Sequence, residues 1–195
     1  MPVGRPRAFD VDQALDHALE VFWEKGYEGA SLPDLTQAMG INRPSLYAAF
    51  GNKEALFRLA IDRYIADNAC HVREALKEPT AKQAVRRLLL SNIDLVTSAK
   101  SPRGCFLVQG ALACGENADP IRQELIKRRA NLEIALCERF KQGIADGDLP
   151  KGTDPADLAR YVVVISHGMA VQAAGGASRA KLKKVVELAL RAWPS

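Results

Sequence analysis

Apolar side chains recur at intervals of three and four along most of the chain, and few segments alternate with period two over a strand's length. That spacing predicts helices. Val11, Leu15, Ala18, Leu19 and Phe22 form a first stripe, capped by Asp10 and ended by Gly26. Ser31-Leu32-Pro33-Asp34 opens a second helix, with Pro in the first turn and an acid beside the positive end of the dipole; Gly40 cuts it short. Asn42 caps a third, with Pro44 in its first turn and Gly51 at its end. Asn52 starts a fourth that carries Leu56, Leu59, Ala60 and Tyr64 and runs to about Lys77.

Beyond Pro79 the segments lengthen. Residues 80–99 carry Ala84, Leu88, Ile93 and Leu95 and close at Pro102. Residues 103–115 are apolar nearly throughout, the pattern of a buried helix. Residues 119–145 place Ile121, Leu125, Leu132, Leu136, Phe140 and Ile144 on one stripe, and Asp146-Gly147-Asp148-Leu149-Pro150 is turn chemistry. Helices over 155–173 and 178–193 follow, separated by Gly175-Gly176, which makes an all-α chain of about nine helices with no internal repeat.

Composition narrows the class. The chain has 195 residues, 48% hydrophobic and 26% charged, enough for a sizeable core. Its longest mostly apolar stretch, Tyr161 to Gly176, contains Ser166, His167 and Gln172 and is too short to span a bilayer comfortably. The first residues lack the apolar run of a secretory signal, so a cytoplasmic location is expected. Cysteines 70, 105, 114 and 137 lie far apart, and histidines 17, 71 and 167 are scattered; no disulfide framework or metal site is indicated. Hydrolase, metalloprotease, nucleotide-loop and dinucleotide fingerprints are missing, so no cofactor and no enzyme activity are expected.

Net charge points only weakly to a polyanion. Residues 1–60 hold six basic side chains against eight acidic ones, and the remainder 21 against 15. The local arrangement matters more. Asp12, Asp16, Glu20 and Glu24 recur every fourth residue along one side of the first helix, which leaves Arg5, Arg7, Arg43 and Lys53 to form a basic face elsewhere. Residues 31–50 read short helix, tight turn, short helix. In a helix-turn-helix the second helix enters the DNA major groove and its first residues reach base edges. Arg43 and Ser45 occupy that position, with Arg43 suited to a guanine edge or a phosphate. Tyr47 follows one turn later, and Lys53 begins the next helix, where side chain and backbone N–H groups both suit phosphate. Ala48 and Ala49 keep the helix narrow, while Leu46 and Phe50 share the face that would anchor it to Phe22, Leu35 and Leu56.

Residues 10–57, above all GINRPSLYAAFGNKEALF (Gly40–Phe57), resemble the DNA-binding domain of the TetR family of bacterial transcriptional regulators. Phe22, Gly26 and Tyr27 fit the family's F-x-x-x-G-(Y/F), and Ser31 and Leu35 its next helix. Leu46, Tyr47, Phe50, Lys53, Glu54 and Leu56 fit the recognition helix and the opening of the helix after it. Thr36, Asn42, Pro44, Ser45 and Ala49 stand where Ala, Ser, Gly, Thr and Tyr or His are usual. The resemblance implies a three-helix DNA-binding domain over residues 1–55 and a helical ligand-binding and dimerisation domain over 56–195. It also implies DNA contacts from Ser31, which doubles as a helix cap, and from Asn42, Arg43, Pro44, Ser45, Tyr47 and Lys53. Arg5 and Arg7 form either a tail or an arm on the DNA.

The expected function is a dimeric, ligand-released repressor of a near-palindromic operator. The last two helices carry a wider apolar arc than one internal face requires, which places Tyr161, Ile165, Met169, Val186, Leu190 and Trp193 at a subunit interface. Polar or aromatic groups within apolar segments, namely Tyr64, Asn68, His71, Phe106, Gln109 and His167, are candidate contacts to a small-molecule inducer, or are bonded internally. Two alternatives stay open. One is a redox-sensing regulator using Cys105 or Cys114, against ordinary core cysteines; the other is a nonspecific DNA architectural protein, which the acidic balance of residues 1–60 disfavours.

Overall fold

A computed structural model describes residues 9–110, 115 and 118–194 of the chain. Among these residues it is built of helices alone: α1 (Val11–Gly29), α2 (Leu32–Met39), α3 (Arg43–Phe50), α4 (Lys53–Leu76), α5 (Ala81–Val96), α6 (Phe106–Gln109), α7 (Asp119–Ala145), α8 (Pro155–Ala174) and α9 (Arg179–Arg191). No helix among them is long and apolar enough to cross a membrane.

The starts obey the capping chemistry of the sequence. Asp10 accepts from the N–H groups of Asp12 and Gln13, and Ser31 and Asp34 form a reciprocal capping box. Asn42 and Asn52 cap α3 and α4 through single carboxamide oxygens. The ends differ in two places. At Gly26 the backbone of α1 adopts φ +70°, where only glycine is comfortable, but helical hydrogen bonding resumes and reaches Gly29. The helix expected over 103–115 is described only as the single turn Phe106–Gln109; residues 111–114 lie outside the described residues. Gly104, at φ +100°, turns the chain into that helix, and the Gln109 side chain occupies the space where a Cβ on Gly104 would stand.

Two apolar cores organise the packing. The N-terminal one gathers Ala18, Phe22, Trp23, Leu35, Leu46 and Phe50 around Leu56, Phe57, Ala60, Ile61 and Tyr64 of α4. It is completed by residues far down the chain: Phe106, Ile121 and Leu125. The second core joins Val85, Leu88, Leu89 and Ile93 of α5 to Leu136 and Phe140 of α7, Val162 and Met169 of α8, and Val186 of α9. Helix α4 belongs to both, since its later residues Val72, Ala75 and Leu76 pack into the second. Packing therefore does not divide at residue 55. The first half of α4 and the α6 turn belong to the same core as α2 and α3.

Candidate functional site

The α2–α3 pair presents one face to solvent. Leu46 and Phe50 are buried, fixing α3 against the N-terminal core, while Asn42, Arg43, Pro44, Tyr47 and Ala48 are exposed and Ser45 is half-buried. The left-handed Gly40 makes the turn between the helices. Among the described residues Arg43 has no ion pair, so its guanidinium is available to a ligand. Thr36, at the position where the resemblance leads one to expect Ala, donates its hydroxyl to the Leu32 and Pro33 carbonyls and needs no outside partner.

Ser31 is exposed, and its hydroxyl donates to Asp34 Oδ2 at 2.6 Å. Lys25 Nζ stands 2.7 Å from the other Asp34 oxygen. These bonds, first from Lys25 and then from Ser31, hold the Asp34 carboxyl well below the usual carboxylate range. Lys53 is half-buried with its ammonium 4.7 Å from the centroid of the Tyr27 ring. Burial lowers its pKa, and the charge of Glu28 opposes that shift. Arg5 and Arg7 lie outside the described residues.

A cavity of about 290 Å³ opens behind this module, among α4, α5, α7 and α8, with Cys105 and Leu107 on one wall. Four of the expected contacts meet there: Tyr64, Asn68, His71 and His167. Two do not. Phe106 is fully buried in the N-terminal core, its ring 5.2 Å from Phe57, 5.7 Å from Tyr64 and 6.3 Å from Trp23 between centroids. Gln109 turns back onto Gly104 instead of lining the cavity, and its Oε1 is buried with no hydrogen-bond partner among the described residues. The apolar spacing around Phe106 and Gln109 is real, but the side chains point to the N-terminal core and to a glycine turn.

Several cavity residues are absent from the expected contacts, Arg129, Asn92 and Ser166 among them, and Cys105, expected as a redox or core cysteine, also lines the wall. A signal exists for the first two. Arg129 sits four residues after Leu125 and three before Leu132, on the buried stripe of α7, and Asn92 sits between Leu88 and Val96 on that of α5. Asn92 donates to the Ser166 hydroxyl at 3.0 Å and to its carbonyl at 3.2 Å, tying α5 to α8. Cys105 stands at the start of the α6 turn and accepts a hydrogen bond from the Tyr64 hydroxyl at 3.3 Å; Cys114 lies outside the described residues. Among the described residues no group of His, Cys, Asp and Glu could hold a metal ion.

The α6 turn joins the cavity to the N-terminal core that carries the helix-turn-helix. Cys105 and Leu107 face the cavity, and Phe106 between them fills the N-terminal core. One residue past the turn, the Gly110 carbonyl accepts the Tyr27 N–H at 2.8 Å, and the Glu28 carboxylate accepts the Gly115 N–H at 2.8 Å.

The expected interface residues divide. Met169, Val186 and Trp193 are buried in the chain's own core, Trp193 edge-on to Phe140 at 5.6 Å, so they are not available to a second subunit. Ile165 and Leu190 are half-buried, and Tyr161 is exposed. The apolar surface left open keeps Tyr161 but otherwise lies one or two residues from the expected positions: Val164 and Val171 on α8, Val185 and Leu188 on α9, with Leu188 57% exposed. A period of three and four cannot say which flank of a wide arc faces inward.

Comparison with known proteins fits this geometry. Residues 14–60 match the family profile described as bacterial regulatory proteins, tetR family, and residues 81–189 match the tetracyclin repressor-like C-terminal domain. The HTH-type transcriptional repressor ComR of Escherichia coli (strain K12) is 37% identical over 193 residues, covering 98% of this chain and 92% of its own. The uncharacterized HTH-type transcriptional regulator YezE of Bacillus subtilis (strain 168) is 31% identical, covering 82% of this chain and 84% of its own. Among solved structures, a cysteine mutant of the TetR family transcriptional regulator CifR, complexed with 26 bp operator DNA, superposes with a TM-score of 0.94. It is 46% identical, with 97% of this chain and 100% of that one covered.

Proposed function

The chain belongs to the TetR family of bacterial regulatory proteins, and we propose that it is a cytoplasmic homodimeric repressor released from its operator by a small molecule. One observation carries the DNA-binding part: α3 is anchored by Leu46 and Phe50 and offers Arg43, Ser45 and Tyr47 outward at its first turns. Arg43 is assigned to a base edge. Tyr47, Ser31 and Lys53 are assigned to phosphates, which set the register without reading sequence. The relative ComR is a repressor, and the relative CifR binds operator DNA, which supports the same role here.

The dimer is assigned to the exposed apolar face of α8 and α9 around Tyr161, Val164, Val185 and Leu188. Two such helices from each subunit would make a four-helix contact about a two-fold axis. It would set two recognition helices roughly 34 Å apart, one turn of the duplex. The cavity is the inducer site, and α6 is the element through which its occupancy reaches the helix-turn-helix. The ligand acts by binding one arrangement of α6 better than the other.

Fluorescence anisotropy with DNA from upstream of the chain's own gene, in excess random duplex, tests the reading. A specific repressor keeps at least a thousandfold preference, on the order expected for operators. Equal affinity for random DNA would leave only nonspecific binding.

A further inference from the structure

The wall of the cavity has a marked charge asymmetry. It includes Arg73, Arg128, Arg129, His71 and His167 and, among the described residues, not one Asp or Glu. Arg128 is already neutralised, by Asp62 at 2.8 Å and Glu124 at 2.6 Å. Arg129 is not. It is half-buried, and its one hydrogen bond is to the Leu107 carbonyl at 2.8 Å, with no carboxylate within ion-pair distance among the described residues. A guanidinium has five N–H donors in a planar fork suited to a carboxylate. Leaving most of them without a protein acceptor beside an apolar cavity is unfavourable unless a ligand supplies one.

Much of the remaining wall is apolar, from Ile65, Val72, Leu88 and Leu132 among others, with the uncharged polar groups of Asn68, Asn92, Asn131 and Ser166 set among them. The volume of about 290 Å³ is roughly twice the ~150 Å³ that accepts benzene. That leaves room for one ring or a medium aliphatic chain bearing one headgroup. We propose that the ligand of this cavity is a small amphipathic organic carboxylate whose headgroup pairs with Arg129 while its apolar body lies against Leu88 and Leu132. The inference rests on the cavity being the inducer site.

The same pairing supplies a route to α6. The acceptor that Arg129 now uses, the Leu107 carbonyl, belongs to the α6 turn. A carboxylate is a stronger acceptor for a guanidinium than an amide carbonyl is. Its arrival draws Arg129 from Leu107 and frees that backbone group, next to Phe106 in the N-terminal core.

The full-length protein is tested by calorimetry and by operator anisotropy with phenylacetate and octanoate, each beside its neutral counterpart, phenylacetamide and octanol. The acids should bind at least about tenfold more tightly than the neutral partners and release operator. Arg129→Gln should erase that preference, and Arg129→Lys should restore part of it; melting curves without ligand confirm that both variants fold. Equal binding of acids and neutral partners overturns the carboxylate assignment and leaves the cavity as an inducer site. No binding of either acid up to millimolar concentration also overturns it. Acids that bind through Arg129 without moving operator affinity keep the anion site and overturn the inducer reading instead.

Discussion

Phe106 offers the sharpest test of how the two halves of the molecule depend on each other. Its side chain is fully buried, and three aromatic rings surround it at 5.2, 5.7 and 6.3 Å between centroids. Truncation of a buried Phe to Ala costs ~3–5 kcal/mol, the larger values belonging to sites that cannot collapse. Here Trp23, Phe57 and Tyr64 are each held by α1 or α4, and each ring contact adds ~0.5–1.5 kcal/mol beyond area burial. Phe106→Ala should therefore lose about 4–5 kcal/mol. For a chain of this length that is a fall in Tm of roughly 8–20 °C by circular dichroism or calorimetry. Phe140→Ala is the matched control, since Phe140 is equally buried but packs on Trp193 in the second core. Both variants should be less stable. At low temperature, where both are folded, only Phe106→Ala should also weaken operator binding. A stability loss below about 1 kcal/mol, or equal effects of the two variants on DNA, would refute the idea that α6 is part of the DNA-reading core.

Three further outcomes are expected. Lys53→Ala should weaken specific and random DNA alike and lower the log–log salt slope by about 0.9 per site, whereas Arg43→Ala should relax preference at one base pair per half-site by about 1–3 kcal/mol; binding titrations across salt and operator variants separate them. Leu188→Asp places a carboxylate on the exposed face of α9, so each chain should fold normally yet sediment as a monomer, and a stable dimer would move the interface elsewhere. Burial holds His71 below its ordinary 6.5, and burial followed by the nearby Arg129 charge does the same to His167. The unfolded chain then binds more protons, so stability is full above about pH 6.5 and falls as pH drops through that value; urea midpoints at pH 7.5 and 5.5 should differ less in a His71→Leu, His167→Leu double variant. The lowered carboxyls of Asp34, Glu74 and Glu124 act in a separate window, below their ordinary values of 3.8 to 4.5.

Much of the molecule is legible in the chain because its local signals are strong. Asp10, Ser31, Asn42 and Asn52 each cap the helix their chemistry announces. Leu46 and Phe50 lie inward, and Arg43 and Tyr47 outward, as a period of 3.6 requires. What the pattern cannot carry is depth. Met169, Val186 and Trp193 are as apolar as Val164 and Leu188, and only packing against α5 and α7 decides which set is covered. Arg129 is hidden by its neighbours: in the run Lys127-Arg128-Arg129 the third residue resembles more solvated charge, although it falls on the buried stripe. Phe106 reads as a cavity residue because nothing local reveals that its ring crosses to a core built of residues 14–64.

Tyr27 stands between two events that the proposed mechanism sets against each other. Its backbone N–H is held by Gly110 beside the α6 turn, and its ring lies under the Lys53 ammonium. Whatever factor the ligand takes from DNA affinity, DNA must take from ligand affinity. Occupied operators therefore raise the ligand concentration needed for release, and tight operators raise it more than weak ones. A genome that holds several copies of the site, graded in strength, would see them vacated in order as the ligand accumulates, the weakest promoter first. One protein of fixed sequence would then have no single threshold; the thresholds would be written in the DNA.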